Sequence, residues 1–577
     1  MSDSSADTGT TSVKARVAAT RKVDALESSP APVAVLPQPL PRSSKAVQAM
    51  AEYMLGVDIG TTSTKAVLFD TDGRVVAHHS VEYPLFTPTP ATAEQDPEEI
   101  YRAVLAVIKT SVQQAHAAPG EVVCVAFSAA MHSVIAVDGE GNPLSRIITW
   151  ADNRAAAWAE RIARELGGNA IYRRTGTPIH PMSPLAKLVW LRNERSDLFS
   201  RAARFIGIKE YVLFRLFKQY VVDYSIASAT GLFNLAQLDW DTEALRLAGV
   251  TPEQLPTPVP TTFHLEGLEP KMSQELGLLP STPFVIGAND GVLSNLGVNA
   301  IGPGEVAITI GTSGAIRTVV DRPLTDPSGR TFCYALTERH WVIGGPVNNG
   351  GIIFRWVRDE FAAAECETAK RLGIDPYELL TRIAERVRPG AEGLIFHPYL
   401  AGERAPLWNA NLRGSFFGLG MHHRKEHMIR AVLEGVIYNL YSILPAVEAL
   451  IGPTRAIKAT GGFARSGLWR QMMADVFDRE VIVPESFESS CLGAAVLGLY
   501  ALGRIDSLEV ISGMVGATHR HTPIEQNVAV YGRLMPIYLS IPAKLEQEYR
   551  AIATFQEEMA AAPTTSKSSS EKNKKTK

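Results

Sequence analysis

VDIGTTSTKAVLFD, Val57 to Asp70, sets glycine, threonine and serine between two apolar runs, with an acid ahead of them. Such a cluster offers N–H and O–H groups to an anion and reads as a phosphate cradle. The kind of cradle decides the fold. A loop of the GxxxxGK[ST] type is excluded, because Gly60 is not followed by that spacing. A dinucleotide fingerprint needs GxGxxG running into a helix, whereas KAVLFD here leads to TDGR and then VVAHHSVEY. Asp72-Gly73 between two β-rich runs is a hairpin signal. The order is therefore strand, turn, strand, turn, strand. Phosphate would be held by the N–H groups and hydroxyls of Gly60, Thr61, Thr62 and Ser63, not by a helix N-terminus. On this stretch alone a plain polar β-turn is the competing reading.

A second stretch changes the balance. Residues 306–320 read VAITIGTSGAIRTVV, again a strand, Ile-Gly-Thr, small residues and a strand. Two related hairpins predict two domains of like topology facing one nucleotide, with Gly311, Thr312 and Ser313 closing on the phosphates from the far side. Only the first hairpin has an acid before Ile-Gly: Asp58 there, Thr309 in the second. That asymmetry suits one Mg²⁺ held by Asp58, directly or through waters; capping of the turn is the alternative role for Asp58.

VIGANDGVLSNLGV, 285–298, begins as an apolar strand and ends in the turn Asn289-Asp290-Gly291. A carboxylate at a strand end beside phosphate hairpins can take the proton of an attacking hydroxyl, which phosphoryl transfer to an alcohol requires. Asp290 fits that role, against the alternative that it merely caps the turn. GGFARSGLWRQMMADVF, 461–477, is a glycine turn entering a helix with Ser466 as N-cap; Trp469, Met472 and Met473 have core spacing. SAAMHSVIAVDG, 128–139, carries Met131 and His132, and WADNR, 150–154, carries Trp150, Asp152 and Arg154. His422, His423 and His427 read as a solvated turn before a helix rather than as a metal site.

The bulk numbers narrow the class. With 577 residues, two large domains are expected. A net charge of −3 gives no sign of nucleic-acid or membrane-surface binding. Four scattered cysteines and no signal pattern or long apolar run point to a reducing cytoplasm. Residues 1–52 are rich in Ser, Ala and Pro, and 551–577 form a polar, basic end; both are expected to be disordered tails. The folded part divides into 53–292 and 293–550. Within it DPEEIYRAVLAVIKTSVQQAHA predicts a helix capped by Asp96, with Pro97 in its first turn and a stripe of Ile100, Val104, Ile108 and Val112.

The hairpin pair resembles the sugar kinase, heat-shock cognate and actin superfamily. MSPLAKLVWLRNE (182–194) and GSFFGLGMHHRKEHMIRAVLE (414–434) match both signature patterns of the FGGY carbohydrate kinases. The resemblance runs from about 55 to about 502. It implies two α/β domains of ribonuclease H-like topology flanking a catalytic cleft, ATP and Mg²⁺ as cofactors, and Asp290 as the catalytic base. It also implies Met131, His132, Asp152 and Arg154 on the sugar, and Gly461, Gly462 and Phe463 along the adenosine. Ala464 stands where many relatives have a third glycine. Members are often dimeric, so a homodimer is one expectation. YPLFTPTPATAEQDPEEI (83–100) and GTPIHPMSPLAKLVWL (176–191) resemble the branch of the family that phosphorylates D-gluconate, with xylulose or a related ketose as the rival substrate. A non-catalytic nucleotide-dependent scaffold is the rival of another class. A sugar acid also needs a cation for its carboxylate, and Arg154, His180, Lys187 and Arg404 are the candidates.

Overall fold

A computed structural model of the protein describes residues 51–484, 488–516 and 518–561. Nearly all of the expected N-terminal tail and residues 562–577 lie outside the described residues.

The opening stretch forms two strands of a six-stranded sheet. Strands β1 (Tyr53–Ile59), β2 (Ser63–Asp70) and β3 (Val75–Glu82) make an antiparallel meander. Strands β4 (Val122–Ala129) and β6 (Phe284–Asn289) then add in parallel, with β5 (His264–Leu265) on the edge, in the order β5-β6-β4-β1-β2-β3. The central strands are buried on both faces, which is why they read as near-continuous apolar runs. Helix α1 (Pro97–Gln114) covers one face as expected. The Asp96 carboxylate accepts from the Glu98 N–H at 2.9 Å, and Ile100, Val104, Ile108 and Val112 are buried.

The second sheet repeats the plan. Strands β7 (Glu305–Ile310), β8 (Gly314–Val320), β9 (Phe332–Thr337), β10 (His340–Val347), β11 (Ala456–Thr460), β12 (Glu480–Pro484) and β13 (Thr518–His521) lie in the order β9-β10-β8-β7-β11-β12-β13. Its inner part, β10-β8-β7-β11-β12, has the directions of β3-β2-β1-β4-β6: antiparallel, antiparallel, parallel, parallel. Two ribonuclease H-like lobes are thus present.

Several helices decide how the lobes meet. Helix α2 (Pro184–Glu194) is buried over most of its length in the first lobe. Helix α3 (Asp290–Gly297) leaves the end of β6. Helices α4 (Lys425–Tyr441) and α5 (Gly467–Phe477) pack on the second sheet. Helix α6 (Ser489–Ala501) returns to the back of the first sheet and crosses α3 at backbone distance. A Cβ added at Gly56 would stand 2.1 Å from the Cys491 carbonyl oxygen, and one at Gly297 1.7 Å from that of Ser489, so glycine is obligatory in both places.

This corrects the expected boundaries. The division at 292/293 falls inside α3, and α6, late in the chain, shares a core with Met54, Phe69 and Val285 of the first sheet. The basic tail expected from 551 begins later. Helix α7 (Glu525–Lys544) is followed by α8 (Glu546–Ala561), held by buried Tyr549 and Ala553, because AIATFQEEM is good helix-forming sequence. The four cysteines are free thiols, three of them buried. Among the described residues no helix is long and apolar enough to cross a membrane.

Candidate active site

Strand register assembles the site. In the first sheet Asp58 lies opposite Ser128, and Ala129 opposite Asn289, so β1, β4 and β6 end together. Ligands of open α/β sheets bind at such carboxyl ends. In the second sheet Thr309 lies opposite Thr460, which brings the Gly461 turn beside the second hairpin. The two ends face one cavity of about 250 Å³ whose walls include Thr61, Met131, His132, Asp290, Gly311 and Ser313.

The first hairpin is braced by side chains. The Gly60 N–H donates to the Ser63 carbonyl at 3.0 Å. The Tyr83 hydroxyl donates to the Gly60 carbonyl at 2.7 Å, Gln95 Nε2 donates to the Thr61 carbonyl, and the Trp150 indole N–H donates to Thr61 Oγ1 at 2.8 Å. Thr62 is exposed at the tip. Two of these braces come from the 83–100 stretch. At the foot of the hairpin Asp58 accepts from Ser128 Oγ at 2.6 Å and from Ser490 Oγ, on α6, at 3.0 Å. Burial pushes its carboxyl above the ordinary range, against both hydroxyls and Lys65. Lys65 itself pairs with Glu488 at 2.9 Å.

The second hairpin is one residue tighter, closing with Gly311 N–H to the Ser313 carbonyl at 2.9 Å. Backbone braces it: the Gly351 and Ile352 N–H groups donate to the Gly311 and Thr312 carbonyls at 2.7 and 3.1 Å. Gly311 and Thr312 are exposed. Gly461 has φ +108, and a Cβ there would meet the Ile310 carbonyl oxygen at 2.3 Å. Gly462 opens onto free space. The Phe463 side chain, expected along the adenosine, is instead buried in the core with its ring 6.0 Å from that of Trp469. As expected, Trp469, Met472 and Met473 are core, and Ser466 caps α5 by accepting from the Trp469 N–H at 3.2 Å.

Asp290 is the first residue of α3, but it is not the cap. Asn289 caps the helix, accepting from the Val292 N–H at 2.8 Å. That division of labour leaves the Asp290 carboxylate at the cavity, with one oxygen accepting from the Gly291 N–H at 2.6 Å. Desolvation, then the neighbouring Asp58, lift its carboxyl to about 6, with Arg317 opposing. A carboxylate so placed is charged near neutrality yet basic enough to take a proton.

On the far wall His132 has φ +69 and is buried. Its Nδ1 lies 2.7 Å from the Ala229 carbonyl, which can only accept, so Nδ1 carries the proton and Nε2 faces the Tyr334 hydroxyl at 3.5 Å. Burial and Lys187 hold the ring neutral. Asp152 and Arg154, expected on the sugar, lie behind this wall and line no part of the cavity. Asp152 accepts from the Ala93 N–H at 3.0 Å and pairs with Arg154 at 2.8 Å; Arg154 also pairs with Glu94 at 2.6 Å. They lock the 83–100 stretch to the first lobe. Lys187 is fully buried and donates to the Met182 and His132 carbonyls, with burial pushing it down to about 7. His180, pushed down to about 3 by burial and Arg404, accepts from the Met182 N–H at 3.2 Å. Of the four candidate cations only Arg404 lines the cavity.

Sequence reasoning missed Arg317, Tyr334 and Thr309 on the cavity wall. A signal for Arg317 existed: it is a lone cation within the apolar run GAIRTVV. His422 and His423 sit in the turn before α4, and no cluster of metal-ligating side chains occurs among the described residues.

Two ribonuclease H-like lobes, a pair of phosphate hairpins and a carboxylate of raised pKa between them define a nucleotide-dependent phosphotransferase. The chain belongs to the FGGY family of carbohydrate kinases: the family's N-terminal domain matches residues 53–297 and its C-terminal domain residues 306–502. It is 61% identical to a gluconokinase of Bacillus subtilis (strain 168) over 509 residues, covering 88% of this chain and 99% of that protein. Two solved structures from Lactobacillus acidophilus, a gluconate kinase and a ligand-bound xylulose kinase, each superpose with a TM-score of 0.82 at 39% identity, over 87% of this chain and all of theirs.

Proposed function

We propose that the protein transfers the γ-phosphoryl group of ATP to the terminal hydroxyl of D-gluconate, giving 6-phospho-D-gluconate and ADP. The observation that carries the chemistry is Asp290, relieved of capping by Asn289 and placed between the two hairpins in one cavity. Asp290 accepts the hydroxyl proton as the oxygen attacks the γ-phosphorus in line and the bond to the ADP oxygen breaks. General-base help of this kind is worth about 10²–10⁴ in rate, roughly 3–5 kcal/mol. Gly60, Thr61, Thr62 and Ser63 hold phosphate oxygens from the first lobe; Gly311, Thr312 and Ser313 hold them from the second. The Gly461-Gly462 backbone offers the adenosine a flat approach. Met131 and His132 contact the sugar, while Asp152 and Arg154 act from behind as positioning residues.

The donor set suits Mg²⁺. Asp58 is near enough to raise the cost of ionising Asp290, and the hydroxyls of Ser128 and Ser490 hold the two Asp58 oxygens. Asp58 would hold the ion, directly or through waters, and Mg²⁺ when bound neutralises charge on the phosphates. A homodimer is the assembly we infer for the family's architecture.

The identity of the sugar rests on the gluconokinase relative, since gluconate and xylulose kinase structures fit the fold equally well. ADP release with Mg²⁺-ATP should be measured across D-gluconate, D-xylulose, D-ribulose, L-ribulose, glycerol and no sugar. A gluconate rate far above the rest is expected; a ketose winning would keep the chemistry and discard the substrate.

A further inference from the structure

The cavity carries more positive charge than the proton transfer uses. Arg404 is 7% exposed, and its Nε is buried without a hydrogen-bond partner. One terminal nitrogen donates to the Val347 carbonyl at 3.0 Å, and the guanidinium lies 4.9 Å from the centre of the Trp150 ring. The adjacent Glu403 does not neutralise it by contact. That carboxylate is engaged by N–H groups of Asn348 at 2.5 Å, Asn349 at 2.8 Å, Asn439 at 2.6 Å and the Arg404 backbone at 2.8 Å.

A second guanidinium, Arg317, shares the wall. Among the described residues its sole hydrogen bond goes to Thr309 Oγ1 at 3.4 Å, and a Cβ added at Gly291 would stand 2.9 Å from its Nε, so it leans on the start of α3. Neither guanidinium has a carboxylate oxygen within 4.0 Å among the described residues. Each is disfavoured by desolvation; Asp290 at Arg317 and Glu403 at Arg404 oppose this from a distance, while Arg317 adds repulsion at Arg404. Buried like charges with unspent donors are costly unless an anion completes them.

The phosphates of ATP already have the two hairpins. Arg404 also lies beside the sugar wall: its charge is felt by His132 and Tyr334, and the Trp150 ring that braces Thr61 lies against it. We propose that Arg404 is the residue that binds the carboxylate of the sugar acid, with Arg317 adding positive potential beside it, and that this pair makes the enzyme select an aldonate over a neutral polyol or ketose. The planar fork of an arginine, with its face fixed on Trp150, suits a carboxylate better than a lysine would. This inference rests on gluconate being the substrate.

The test compares D-gluconate with gluconamide, in which a neutral carboxamide replaces the carboxylate. Steady-state rates with Mg²⁺-ATP would be measured for the unaltered protein, Arg404→Gln and Arg317→Gln, with gluconate affinity by calorimetry without nucleotide. The unaltered protein should prefer gluconate by at least about 10²-fold, the scale of a truncated charge-assisted contact. Arg404→Gln should lose about that factor in kcat/KM on gluconate, mainly through KM, and far less on gluconamide, so that the preference collapses. Arg317→Gln, on the more open part of the wall, should show the same pattern more weakly and keeps the idea testable if Arg404→Gln misfolds. Equal losses in kcat on both substrates, with sugar affinity unchanged, would assign the pair to the transferred phosphoryl group and overturn the proposal. An unaltered protein that treats gluconate and gluconamide alike also overturns it. If that protein instead turns over only a ketose, the substrate reading itself has failed, which the panel reports before any variant is made.

Discussion

The two hairpins share an Ile-Gly-Thr entry and a strand order, yet the charges beside their turns have opposite signs. At the last but one position of its first strand the N-terminal hairpin has Asp58, with Lys65 opposite; the C-terminal hairpin has Thr309, with Ala315 opposite. The outgoing strand of the second instead carries Arg317 into the cavity. Their supports differ as well. Tyr83, Gln95 and Trp150 side chains hold the first, whereas the N–H groups of Gly351 and Ile352 hold the second. The two hairpins of like plan thus differ in charge at the cavity: one edge supplies the carboxylate of Asp58, the other the guanidinium of Arg317.

The largest expected effect lies between the hairpins. Asp290→Asn should lower kcat by about 10²–10⁴ with the fold intact, read as ADP release beside a thermal melt; near-normal turnover would break the mechanism. Next, Asp58→Asn should cost about 10²-fold and raise the Mg²⁺ needed for half-maximal rate, while Thr309→Ala at the matching place should change kcat less than about 3-fold. Equal effects would erase the distinction between the hairpins. A smaller effect is a pH limb. Asp290 titrates at about 6, so kcat/KM should fall tenfold per pH unit below that value as the base becomes protonated. In Asp58→Asn a negative neighbour is gone, and the limb should move to lower pH. The smallest is Trp150→Phe, which removes the hydrogen bond to Thr61 but keeps a ring under Arg404; about 1 kcal/mol, or roughly 5-fold in the KM for ATP, is expected.

Local patterns were legible in the sequence, and long-range ones were not. The hairpins, the Asp96 and Ser466 caps and the stripe of α1 are each encoded within a few residues, and the structure has them. Asp290 could be singled out because strand end, acid and glycine are contiguous. The family resemblance puts Asp152 and Arg154 on the sugar, but their charges are spent on each other, on Glu94 and on the Ala93 N–H. Phe463 sat in a ligand-like glycine turn, and only packing shows its ring pointing into the core. Arg317 was hidden because a strand alternates faces, and which face borders a cavity depends on the other lobe. The placement of α6 depends on contacts more than 400 residues apart, such as Ser490 with Asp58.

That last contact governs how the protein can be made. The first sheet is complete in sequence by Asn289, but the helix that covers its back, and the serine that holds Asp58, arrive only with residues 489–501. During synthesis the apolar face of Met54, Phe69, Cys124 and Val285 therefore waits uncovered while about two hundred further residues are added. At the usual 5–20 residues per second that is roughly 10–40 s on the ribosome. Apolar surface left uncovered for that long is what holding chaperones bind, and a message cut short before codon 489 leaves the first sheet without the helix that covers it.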